Sequence, residues 1–161
     1  MRRGLISALV TLLVLVVAVF GVMALQPRTV EEELGGALGL SLPQAAAEES
    51  SDSHGFLGDG LRLVKLTFSD ADGGEIEGQI AALTGLWQEG MPDGEVAQAL
   101  EACCAAEQGW PAEGGERCWW FFKDRWRYEK DTPLTERGAY NYTAALYDGE
   151  NCTLYYLELD T

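Results

Sequence analysis

Residues 140–159 read YNYTAALY (Tyr140–Tyr147), DGEN (Asp148–Asn151) and CTLYYLEL (Cys152–Leu159), two alternating apolar runs joined by four turn-forming residues. That pattern predicts a β-hairpin, because strand side chains alternate between faces with a period of two. Gly149 at the first central position fits a type II′ turn. Pairing Asp148 with Asn151 then puts Tyr140, Tyr142, Ala144 and Leu146 on the same face as Thr153, Tyr155, Leu157 and Leu159. The opposite face, with Asn141, Thr143, Ala145, Tyr147, Cys152, Leu154, Tyr156 and Glu158, is mixed, as in a sheet with one wetter side.

Upstream of the hairpin, Cys118–Tyr128 is the densest aromatic run of the chain. On a strand it sends Trp120, Phe122 and Trp126 to one side and Trp119, Phe121, Lys123 and Arg125 to the other. Leu61–Phe68 reads as a further strand. Between them, Ile76, Ile80, Leu83 and Trp87 follow the stripe of a helical face, with Asp72 and Glu75 at the spacing of a capping pair. A second helix opens at Pro92-Asp93, holds Val96 and Leu100 on one face, and closes at Gly109 and Pro111. One strand, two helices and then three strands predict an α+β fold: an antiparallel sheet of about four strands with both helices on one face.

Residues 4–25 form an apolar run, with no charge between Arg3 and Arg28. At about 1.5 Å per residue such a helix crosses a hydrocarbon core of roughly 30 Å. Arg2 and Arg3 precede it and Glu31-Glu32-Glu33 follow, so the positive-inside bias places the remaining chain outside the cytoplasm. The expected organisation is a transmembrane anchor over 1–25, a spacer over 26–53 with a short helix near Val30–Leu38, and an extracytoplasmic domain over 54–161. The competing expectation is secretion after cleavage near Ala24, since Val22 and Ala24 suit a signal-peptidase site.

All 26 acidic residues lie beyond the apolar run, as do all basic ones except Arg2 and Arg3, and the chain carries a net charge of −15. A surface of that sign repels a phosphate backbone, which excludes nucleic acid as the expected partner. Cys103, Cys104, Cys118 and Cys152 allow three disulfide pairings in an oxidising compartment, with buried thiols as the alternative. One histidine and no Cys-x-x-Cys spacing predict no metal centre and no cofactor. Asp70–Glu75 is only superficially like a calcium loop, because its third acidic position is glycine.

His54 and Asp59 sit on a glycine-rich segment, His54–Gly60, and are the candidates for acid–base chemistry. No nucleophile–base–orienter trio surrounds them. The stronger candidate is a recognition face of rings beside cations: Trp119, Phe121, Lys123 and Arg125, extended by Tyr147 and Tyr156.

The chain resembles a group of uncharacterised small single-span extracytoplasmic proteins of Gram-positive gut bacteria. The likeness lies in the apolar N-terminal segment, Gly39-Leu40, the loop Asp52-x-His54-Gly55-Phe56-x-Gly58-Asp59-Gly60, and Trp87. Lys123-Asp124-Arg125 and the tail Thr153-Leu154-Tyr155-Tyr156-x-Glu158-x-Asp160-Thr161 complete it. The resemblance implies bacterial origin and membrane association and supplies no catalytic residue. The function expected from sequence is therefore a non-catalytic binding module at the cell surface, with a wall polymer or a protein as partner. The alternatives are a small hydrolase using His54 and Asp59, and a structural accessory subunit of a membrane complex.

Overall fold

The computed structural model describes residues 28–55, 58–103, 105–106, 109–128 and 131–161. The chain divides into two compact units, Met1–Val30 and Glu31–Thr161, and the second contains the whole sheet. The apolar run at 4–25 lies outside the described residues. Among those described, no helix is long and apolar enough to cross a membrane.

The elements are helix α1 (Val30–Leu38), strands β1 (Ala47–Asp52) and β2 (Gly60–Thr67), helix α2 (Asp70–Ala82), strand β3 (Trp87–Glu89), helix α3 (Gly94–Ala102), strand β4 (Cys118–Asp124), a short 3-10 helix (Leu134–Glu136), and strands β5 (Asn141–Asp148) and β6 (Thr153–Asp160). The six strands form one antiparallel sheet in the order β1-β2-β6-β5-β4-β3. The predicted hairpin is thus the centre of the sheet. The expected count of about four strands is short by the two edges.

Within the hairpin, Asp148 pairs with Thr153 rather than Asn151. The predicted type II′ turn is replaced by a four-residue loop, in which Asp148 Oδ1 accepts from the N–H groups of Glu150 (3.0 Å) and Asn151 (3.3 Å). Cys152 completes it with φ of 47°. A displacement of two residues keeps parity, so the predicted faces hold. Gly149 serves close packing rather than turn type, and its N–H bonds the Arg117 carbonyl at 2.8 Å. A Cβ there would lie 2.6 Å from Glu77 Oε1 and 3.0 Å from Trp119.

Both sheet faces are covered. On the first, Leu61, Leu63, Trp120, Tyr142, Ala144, Leu146, Leu157 and Leu159 form a core with Ala99 and Leu100 of α3 and with Trp110 and Leu134. On the second, Val64, Leu66, Tyr147 and Leu154 are fully buried, as are Leu34 of α1 and Ile76 of α2. The expectation of both helices on one face is therefore corrected. The mixed face of the hairpin carries Ala145, Tyr147, Leu154 and Tyr156, which is too much apolar surface to leave wet. Each buried Leu or Ile contributes about 1.5–3 kcal/mol relative to exposure, which favours a helical cover on that side as well.

Local signals also shift. The cap of α2 is Ser69, whose Oγ accepts from Asp72 N–H (3.3 Å) and donates to Asp72 Oδ2 (2.6 Å). The capping logic is the predicted one, displaced three residues upstream. The helix ends at Ala82, so Trp87 does not belong to its stripe; it sits on β3 with its ring 5.6 Å from that of Phe121. Residues 31–53, expected as a spacer, belong to the compact unit: Leu34, Leu38 and Leu40 are buried, and β1 pairs with β2 along its length. Cys118 and Cys152 are unbonded thiols.

Candidate functional site

Strand register decides what becomes of the predicted recognition face. Trp119 pairs with Tyr147, Phe121 with Ala145 and through it Tyr156, and Lys123 with Thr143 and through it Glu158. The structure thus brings Trp119, Phe121, Lys123, Tyr147 and Tyr156 to one face. It does not leave them an open platform, because Phe121 (5% exposed), Tyr147 (0%) and Tyr156 (3%) are core residues. Burial pushes the Tyr156 phenol up to about 12, aided by the nearby Glu158 carboxylate, and raises that of Tyr147 as well. Trp119 stays half-buried, Lys123 exposed and Arg125 half-buried.

The accessible part of this face is a groove of about 320 Å³ between the end of α2 and β3. It is lined by Ile80, Leu83, Thr84, Trp87, Glu89 and Trp119, among others. Its geometry follows from local sequence. Gly85, at φ of 86°, turns the chain out of α2, and the β3–β4 register sets Glu89 beside Trp119. Trp87 Nε1 is buried with no acceptor among the described residues.

No family model matches the chain, and no curated protein and no solved structure matches it.

His54 occupies the turn between β1 and β2, with its side chain 21% exposed. Its Nδ1 lies 2.7 Å from Asp52 Oδ1, and its Nε2 lies 3.6 Å from Asp160 Oδ2. Asp52 Oδ1 also accepts the His54 backbone N–H at 2.9 Å. That bond, followed by the ring contact, holds the Asp52 carboxyl below the usual carboxylate range. The carboxylates facing the ring are therefore Asp52 and Asp160. The predicted partner, Asp59, contributes its backbone carbonyl to Gly55 N–H and lines a cavity of about 480 Å³ with Tyr140, Cys103 and Asp160.

Asp160 continues the chain of charges. The Arg125 guanidinium lies 3.1 Å from Asp160 and 3.1 Å from Glu158, and donates to the Tyr142 and Leu159 carbonyls at 3.2 and 3.3 Å. An imidazole with a carboxylate at each nitrogen links the β1–β2 turn to the end of β6. A general base needs one ring nitrogen directed at a proton to be removed, and in this turn Nε2 faces Asp160. Among the described residues, no group of three or more His, Cys, Asp or Glu side chains could hold a metal ion.

Sequence reasoning missed Trp87 as a groove residue because it was assigned to the helical stripe, and it gave Thr84 and Glu89 no role. The break at Thr84-Gly85 was the available signal. Asp52, two residues before His54, had the spacing of an Asx turn. No local signal points to Asp160.

Proposed function

We propose that the chain is a non-catalytic binding module of the cell envelope, held at the membrane by residues 4–25, and that it recognises its partner through the groove at Trp119. The observation that carries this reading is the groove itself. The Trp119 indole beside apolar Ile80 and Leu83, with Thr84 and Glu89 among the lining, joins an apolar surface to hydrogen-bonding groups. Such a surface suits the ring of a sugar in a wall polymer, whose C–H face packs on an aromatic side chain while its hydroxyls meet the polar groups.

Co-sedimentation of the full-length chain, in detergent micelles, with isolated insoluble cell-wall polymer tests the proposal. Trp119→Ala is expected to weaken retention at least tenfold in a chain that stays folded, as read by its far-ultraviolet circular dichroism. Retention equal to that of the unsubstituted chain rejects the groove as the recognition surface.

A further inference from the structure

The sheet has two edges, and they differ. β3 offers three residues, whereas β1 offers six, every one of them exposed. The phase of pairing fixes what β1 presents outward. Ser53 N–H bonds the Leu61 carbonyl at 2.9 Å. On an antiparallel ladder the hydrogen-bonded pairs then include Ser51/Leu63 and Glu49/Lys65, since bonded and non-bonded pairs alternate. The N–H and C=O groups of Glu48, Ser50 and Asp52 consequently point away from β2.

Side chains on this strand are also sorted. Glu48, Ser50 and Asp52 rise on one face, with Asp52 fixed by His54. Glu49 lies on the other, tied to Lys65 Nζ at 2.8 Å. On that other side a cavity of about 300 Å³, lined by Ser50, Ser51, Leu63, Lys65 and Tyr155, has room for one side chain of an added strand.

We infer that β1 is a docking edge for an extended segment of a partner protein that carries lysine or arginine four residues apart on one face, opposite Glu48 and Asp52. Main-chain bonds to the outward groups of Glu48, Ser50 and Asp52 supply affinity, and the alternating side chains supply choice. Charge selects this occupant over others. A second copy of β1 would set three carboxylates of each chain together, and like charges on neighbouring strands are destabilising. Acidic residues on an edge guard against unselected pairing; the same carboxylates that repel a neutral or acidic strand attract a basic one. The net charge of −15 adds long-range attraction for a cationic segment.

The test uses the full-length chain in detergent micelles and, as probe, the blocked heptapeptide Thr-Lys-Thr-Val-Thr-Lys-Thr. Binding is followed by fluorescence anisotropy and by amide hydrogen exchange. The peptide is expected to slow exchange at the Glu48, Ser50 and Asp52 amides. Glu48→Lys should weaken binding at least tenfold, Glu48→Gln by a smaller factor, and Trp119→Ala not at all, which separates this edge from the Trp119 groove. N-methylating the peptide amides that face β1 keeps its charge and should abolish binding. The inference is overturned if the N-methylated peptide binds equally well, if glutamate in place of both lysines binds equally well, if no amide of β1 is protected, or if the chain dimerises through β1 without peptide.

Discussion

The hydroxyl of Tyr147 donates to the carbonyl of Gly73, 3.1 Å away, pinning the centre of the sheet to the first turns of α2. The approach depends on glycine. A Cβ at Gly73 would collide with Cys152 Sγ and lie 3.0 Å from the Tyr147 hydroxyl. Gly73→Ala is therefore expected to destabilise the domain by about 1–3 kcal/mol through overpacking. Gly78, on the same helix, has nothing within 4 Å of an added Cβ, so Gly78→Ala should stabilise by about 0.5–1 kcal/mol. Urea denaturation reads both, and a shift of the same sign for the two substitutions would contradict the packing argument.

The buried phenols set the alkaline limit. Burial, first among the causes, raises the pKa values of Tyr142, Tyr147 and Tyr156, the last to about 12. An unfolded tyrosine ionises near about 10. The stability these three neutral phenols contribute is thus complete below that value and falls as pH rises above it; for Tyr156 the loss runs until about 12. Their phenolate absorbance should appear together with loss of the far-ultraviolet circular dichroism signal. Phenolates at these three positions in a chain that keeps its dichroism would refute the assignment.

How much of this was legible in the sequence varies with the length scale of the interaction. The hairpin faces were legible because a period of two survives a shift of two, even though Asp148 meets Thr153 and not Asn151. The strand β1 was not, since Ala47–Asp52 is wet on both sides and has no apolar alternation to betray it. The short β3 was hidden because Trp87 fell in step with Ile76 and Ile80. Alternation grouped Trp119, Phe121 and Lys123 on one face, with Arg125 past the end of β4, but alternation cannot say which of two apolar faces a helix covers. Leu34 and Leu38, assigned to a spacer, are buried, and α2 meets that face through the bond from Tyr147 to Gly73. At His54 the turn partner Asp52 is local and Asp160 is not, so only half of that arrangement had a sequence signal.

The docking of α1 rests partly on an ion pair that acid should release. Arg62 Nη1 lies 2.6 Å from Glu33 Oε1, and its hydrogen bond, more than its charge at a distance, holds the Glu33 carboxyl below the usual range. A depressed folded pKa contributes stability above the unfolded value, about 4.3, and that contribution disappears as pH falls through the folded value. Glu33 is half exposed at its side chain, which keeps the worth of the pair to about 0–1 kcal/mol. Glu33→Gln should therefore lower the melting temperature by at most a few degrees at neutral pH, with the gap closing in acid, below the unfolded value, and in about 1 M salt. A gap that persists under both conditions would mean that packing, not charge, is responsible.

Arg125 gives the sharpest separation between a recognition role and a structural one. Its guanidinium reaches over β5 from the end of β4 and meets the Leu159 carbonyl, Glu158 and Asp160 of β6. Its Nε is buried with no acceptor among the described residues. A cation reserved for a ligand would be removable at no cost to the fold. One that closes charge-assisted bonds across three strands would not, since such bonds are worth about 1.5–3 kcal/mol each before desolvation is counted. Arg125→Ala is thus expected to lower stability by about 1–3 kcal/mol. Arg125→Lys should recover only part of this, because a lysine lacks the planar fork that serves several acceptors at once. A double-mutant cycle with Asp160→Asn should show coupling of at least about 0.5 kcal/mol. Full stability of Arg125→Ala, with loss of polymer binding, would instead return Arg125 to the recognition surface and free Asp160 to act with His54.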